Sequence, residues 1–206
     1  MVTEIRIYVE GGGDGKETRA KVRQGLSEFL KDIVALAREK RINWNIIACG
    51  SRNSTFDNFQ TALRTHPEDF NVLLVDADGP VNTNTNPRQH LQNRDGWNLS
   101  AIDDERCQLM VQTTEAWIIG DIDALRTFYG QGFNSNSISN NPDVEKIDKD
   151  MLYSSLKSAT RMTQKGEYHK IRHGPDILKL VDVSRVRSAA AHCNRLFETL
   201  EEKIGT

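Results

Sequence analysis

No apolar run in the sequence approaches the roughly 20 residues that a helix needs to span a bilayer. Met1-Val2-Thr3-Glu4 has neither the charged nor the apolar part of a secretion signal. Cysteine is sparse: Cys49, Cys107 and Cys193 are three in number and far apart. That excludes a disulfide framework and zinc-ligand spacing, and fits small buried residues in a reducing compartment. The five histidines are scattered too, which argues against a His-based metal centre. Low-complexity tracts and internal repeats are absent. What remains is a cytoplasmic globular chain of 206 residues, 37% hydrophobic and 27% charged, enough for one domain with a full core.

The net charge of −2 conceals an asymmetry. Residues 151–206 hold ten Lys and Arg against six Asp and Glu, an excess of +4, so residues 1–150 carry −6. An acidic front and a basic back suit metal ligands on one side and phosphate contacts on the other, or a chance spread of solvated charge.

Residues 4–9 (EIRIYV) alternate apolar positions as a strand does. Val22, Leu26, Phe29, Leu30, Ile33 and Ala37 then recur at helical spacing, predicting one long helix to about Lys40. Residues 44–48 read as a second strand, 51–64 as a helix, and 71–76 (NVLLVD) as a strand covered on both faces. This β-α-β-α-β order predicts an open, mostly parallel α/β sheet with helices on both sides. Residues 79–105 show no clear period. A fourth strand is expected over 107–112, a helix over 116–128, and helices over about 150–164, 175–181 and 184–203. The division is an α/β core over 1–129, with 79–105 as an insertion, and a helical C-terminal part over 130–206.

In such sheets ligands bind at the carboxyl ends of the strands, and two of those ends carry acids: Glu10, and Asp76 with Asp78. The glycines after Glu10 (EGGGDGKET) do not make a Walker A loop. Glu10 stands where its first glycine belongs, and Glu17 stands where the hydroxyl after Lys16 belongs. Acids at i and i+2 of a strand emerge on one side. Two carboxylates held so close repel unless a cation lies between them, and hard oxygens suit Mg²⁺ or Mn²⁺. Asp78-Gly79-Pro80 also reads simply as a turn. On the repulsion argument, Asp76→Asn is expected to stabilise the metal-free protein.

The frame and its acids resemble the toprim domain, the metal-dependent phosphotransfer fold of topoisomerases, primases and OLD-type and RloB-like nucleases. The chain is similar over about residues 5–200 to one toprim-like bacterial family, domain of unknown function 4276. The segments that carry the likeness are YVEGGGDGKETR, ACGSRNSTFDNF, LLVDADGPV, RDGWNL, LMVQTTEAWIIGD and TQKGEYHKIRHG. The resemblance implies that Glu10 is the toprim glutamate, that Asp76 and Asp78 are its Asp-x-Asp, and that Asp14 is a second acid on the glycine loop. Glu115 matches a further acid of related nucleases, or is a carboxylate favoured by a helix N-terminus. Of the lysines in the cluster Lys165, Tyr168, Lys170 and His173, Lys165 is read as the match to a catalytic lysine.

The function implied is a Mg²⁺- or Mn²⁺-dependent nuclease cutting DNA or RNA, with an ABC-type ATPase partner and a role in anti-phage defence. A non-cleaving binding subunit and a metal-dependent nucleotide phosphotransferase are the alternatives. The segment 79–105 leaves Asp78 directly and is expected to border the cleft.

Overall fold

The computed structural model describes residues 2–82 and 84–205. Met1 and Thr206, at the ends of the two expected parts, and Thr83, inside 79–105, lie outside the described residues. Four strands form one sheet: β1 (Glu4–Glu10), β2 (Asn43–Gly50), β3 (Phe70–Asp76) and β4 (Cys107–Met110). Their order is β2-β1-β3-β4 and every pairing is parallel. The sheet is covered on both faces, and the period of two along each strand sorts the side chains. Ile5, Ile7, Val9, Val72 and Leu74 enter one hydrophobic cluster, while Tyr8, Leu73 and Val75 enter another.

The second face is closed by α3 (Arg52–Thr65), through Phe56 and Phe59, and by Leu91 of α4 (Pro87–Asp95). The first face takes α1 (Lys16–Phe29), α2 (Lys31–Glu39), α5 (Thr114–Ile119) and α6 (Ile122–Tyr129). It also takes α7 (Lys149–Thr160), α8 (Lys170–Leu178), α9 (Val183–Ala189) and α10 (Ala191–Ile204). Residues on both sides of position 130 therefore share one core cluster. No helix among the described residues is long and apolar enough to cross a membrane.

Several helices differ from the sequence expectation. The single helix expected to Lys40 breaks at Leu30, whose ψ of 14° ends one segment and starts the next. The helix expected over 116–128 breaks between Gly120 and Asp121, where the Asp121 side chain caps the N-terminus of α6. Pro175 does not open its helix as expected but lies inside α8, which begins at Lys170. A helix, α4, stands in the aperiodic segment 79–105. It is closed at its start by Pro87 and the Asn86 side chain, and at its end by left-handed Gly96.

The turn after Glu10 is held against α1 and β2. Gly11 N–H donates to the Gly50 carbonyl, and Gly12 has φ +83°. A Cβ on Gly12 would lie 2.8 Å from the Arg19 backbone, whereas one on Gly13 (φ +55°) would meet nothing within 4 Å. Gly13→Ala should therefore cost only the left-handed strain, about 1 kcal/mol. Gly12→Ala adds a backbone collision and should cost about 2–3 kcal/mol. Urea unfolding of both variants checks this; equal losses would show that the turn yields instead of being clamped against α1.

Candidate functional site

Parallel pairing of β1 with β3 brings the carboxyl ends of both strands to one edge of the sheet, and with them Glu10 and Asp76. Asp76 ends a strand whose seven residues are all buried, and is itself 5% exposed. A carboxylate there needs partners. Its Oδ1 accepts from Thr114 N–H at 2.8 Å and Thr114 Oγ1–H at 2.9 Å, so it caps the start of α5. Its Oδ2 accepts from Lys170 Nζ at 2.6 Å. The same ammonium faces Glu115 Oε2 at 3.4 Å, and Tyr168 Oη donates to Glu115 Oε1 at 2.9 Å. Burial opposes the charge on Lys170, but Asp76 and Glu115 outweigh it and hold the ammonium well above the usual lysine range.

Asp78 does not follow Asp76 to the same side, as strand alternation predicts. The strand ends at Asp76, and Asp78 takes a left-handed conformation (φ +57°), which Asp tolerates better than most residues. Its carboxylate instead meets Lys149 Nζ at 2.6 Å and Arg94 Nη2 at 2.8 Å. Burial works against its ionisation. The Lys149 hydrogen bond and the charges of Lys149, Arg94 and Arg52 prevail and hold the Asp78 carboxyl below its ordinary value.

Arg52, the first residue of α3, joins the two halves. Its Nη1 donates to the Asp76 carbonyl at 2.5 Å and to Glu10 Oε2 at 3.1 Å, and lies 3.9 Å from Asp78 Oδ2. Its Nε and Nη2 form a fork on Asp95, both at 2.8 Å. Arg94 and Asp95 come from the end of α4, and His90 Nε2 of that helix meets the Ala77 carbonyl at 3.2 Å. The segment 79–105 thus returns to the acids it left.

Glu10, Asp76, Asp78 and Glu115 therefore gather at one edge, whereas Asp14 does not join them. Asp14 is exposed, and its carboxylate has no hydrogen bond or ion pair among the described residues; only its backbone carbonyl accepts, from Arg19. Lys165, the favoured lysine, is also elsewhere: its ammonium lies over the Phe128 ring, 5.0 Å from the centroid. His173 turns the same way and meets Tyr129 Oη at 2.9 Å. Lys170 and Tyr168 are the members of that cluster that reach the acids. His169 between them is extended (φ −136°, ψ 117°), so its two neighbours share a side. That alternation was legible as Tyr168-x-Lys170. Arg52, Arg94, Asp95, Thr114 and Lys149 carried no comparable signal. The three cysteines are buried and free, and burial pushes the Cys49 thiol to about 11 and the Cys107 thiol to about 12, so neither is a poised nucleophile.

Among the described residues, no three His, Cys, Asp or Glu side chains stand in an arrangement ready to hold a metal ion. Basic side chains occupy the faces of the carboxylates. The donors are still all hard oxygen, which suits Mg²⁺ or Mn²⁺, and one observation points to negative charge short of compensation. Burial, then the charge of Asp76, then that of Asp78, push the Glu10 pKa up despite Arg52 and Lys170. Glu115 Oε2 is buried and faces the Lys170 ammonium at 3.4 Å.

Fold and site define an α/β protein with a fully parallel four-stranded sheet and a cluster of paired acids and bases at its carboxyl edge. The chain belongs to the family Domain of unknown function (DUF4276), whose model matches residues 9–201. No curated protein and no solved structure matches it.

The contacts of Asp76 reverse the expectation that Asp76→Asn relieves strain. The amide sets a donor against Lys170, whose ammonium loses its closest acceptor. We expect Asp76→Asn and Lys170→Met each to lose about 2 kcal/mol in metal-free buffer, less than for a fully buried pair because Lys170 is 39% exposed. Chemical unfolding of both checks it, and a stabilised Asp76→Asn would sink this account. Glu10 has the opposite sign of pH effect from Asp78. Its raised pKa contributes stability that is complete below about 4.3 and is lost as pH rises through the folded value. Unfolding free energies of wild type and Glu10→Gln from pH 3.5 upward should therefore diverge, with wild type losing ground as pH rises.

Proposed function

We propose that the chain is a divalent-metal-dependent nuclease that cuts phosphodiester bonds of DNA or RNA at the edge formed by Glu10, Asp76 and Asp78. The observation that carries this reading is the convergence of these acids at the carboxyl ends of neighbouring parallel strands, where α/β sheets bind ligands. The toprim resemblance of the sequence points the same way. Glu10, Asp76 and Asp78 would hold Mg²⁺ or Mn²⁺, with Glu115 supporting through Lys170. Bound there, the ion would supply Lewis-acid stabilisation of phosphate oxygen charge and an activated water.

The basic side chains then gain a second role. Five carboxylates (Glu10, Asp76, Asp78, Asp95, Glu115) face four cations (Arg52, Arg94, Lys149, Lys170). With a cation sharing the carboxylate charge, Arg94 and Lys149 would be free to meet substrate phosphates. Both are more exposed than the acids they hold, at 35% and 45% of their side chains. Lys170, held between Asp76 and Glu115, would stabilise charge on the reacting phosphate.

The partnership with an ABC-type ATPase and the role in anti-phage defence are proposed on the resemblance, and the cytoplasmic location on the sparse, widely spaced cysteines of the sequence. One observation favours a second reading, a nucleic-acid-binding subunit that does not cut: the acids are already paired with bases, and an ion must displace them.

Labelled DNA and RNA incubated with the chain and Mg²⁺ or Mn²⁺ separate the two. Cleavage should require the ion, and Glu10→Gln and Asp78→Asn should each lose about 10²-fold or more. Mg²⁺ at 100 times its dissociation constant should stabilise wild type by about 2.7 kcal/mol, and Asp78→Asn by much less. Cleavage indifferent to chelator, or melting indifferent to the ion, would remove the metal from the proposal.

A further inference from the structure

A cavity of about 220 Å³ opens beside the acids, under the glycine turn and between α1, α5 and α8. Most of its wall is apolar: Val22, Leu26, Ile118, Pro175 and Leu178. Its charged end holds Glu10, Asp76, Glu115 and Lys170. The cavity is partly open to solvent, and its apolar lining is left in contact with water. Water inside finds protein hydrogen-bond partners at the charged end only.

Size and polarity together define an occupant. Apolar cavities of about 150 Å³ accept benzene, and drug-sized ligands need about 300 Å³ or more. A space of about 220 Å³ therefore suits one flat ring system of one or two rings. At its polar end three carboxylates, Glu10, Asp76 and Glu115, stand against one ammonium, Lys170. Negative charge exceeds positive charge at that end, which favours an occupant that brings a hydrogen-bond donor. The occupant thus has an apolar ring face and an N–H edge. It also lies next to the carboxylates where phosphate chemistry is proposed.

We propose, resting on the nuclease reading, that this cavity receives the base of the nucleotide at the cleaved position, turned out of its stack, with the carboxylates at its polar end accepting from the N–H edge. Turning a base out costs stacking and pairing, least for single strands. The substrate class is accordingly single-stranded or locally opened nucleic acid. The glycine turn lets backbone line the mouth without side chains, and Gly174 borders the wall, where a Cβ would press Tyr168 Oη at 3.2 Å.

The test is fluorescence of single-stranded DNA and RNA oligonucleotides carrying one 2-aminopurine, titrated with the full chain in metal-free buffer so that nothing is cut. 2-Aminopurine brightens when it leaves its stack, so binding should raise the signal. Val22→Phe and Ile171→Trp fill the cavity from positions that are already partly exposed, so both variants should fold. Each should weaken the response about tenfold or more, with circular dichroism unchanged. Binding without brightening, or a wild-type response from both filled variants, overturns the proposal. Cleavage is scored separately with Mg²⁺ present. Cutting without brightening refutes the base pocket alone, brightening without cutting refutes the nuclease alone, and no binding at all refutes both.

Discussion

The site depends on one constraint: β3 delivers a carboxylate to the end of a fully buried strand. Asp76 cannot stand there bare, because transfer of an isolated charge into the interior costs far more than a fold of this size can spare. Everything around it follows from that need. The first N–H of α5 turns toward it, Thr114 adds a hydroxyl, and α8 begins where Lys170 can reach it. Glu115, one residue beyond Thr114, then shares the same ammonium. Removing the charge from Asp76 would leave Lys170 committed to a partner that no longer answers it.

The strands were legible in the sequence because their signal is burial itself. Alternation in EIRIYV and the unbroken apolar run NVLLVD follow from two covered faces, and both segments sit in the sheet as the pattern predicts. Helix breaks were less legible. Leu30, Gly120 and Ala190 interrupt helices whose apolar spacing continues across them, because the chain bends while each segment still faces the same core. α4 was hidden for the converse reason. Of its nine residues only Pro87 and Leu91 are buried, so it has no apolar stripe, and its evidence lies in its ends, Asn86-Pro87 and Gly96.

The acids of the site were likewise easier to find than their partners. An acid at a strand end is visible from the strand. The cations come from four separate places, α3, α4, α7 and α8, and nothing local in a lysine or arginine states which distant carboxylate it will meet. Local geometry also decided two acids against expectation. The left-handed turn at Asp78 rotates it away from Asp76, and the glycine loop leaves Asp14 in solvent.

Arg52 shows why one of these partners has to be an arginine. Its Nε and Nη2 are fully engaged by Asp95, which fixes the guanidinium plane, and Trp97 lies 5.2 Å from its centre while stacking on Phe56 at 4.2 Å. With the plane held from behind, Nη1 is aimed at a single point between the Asp76 carbonyl, Glu10 and Asp78. A lysine has one nitrogen and no plane. It could satisfy the carboxylates or Asp95, and would lose the coupling between them. Through that fork, the Asp95 and Trp97 of RDGWNL, more than forty residues from Arg52 in sequence, set where positive charge stands among the acids of β1 and β3. The loop that leaves the site therefore also controls its charge, and any movement of α4 would change the field that Glu10 experiences.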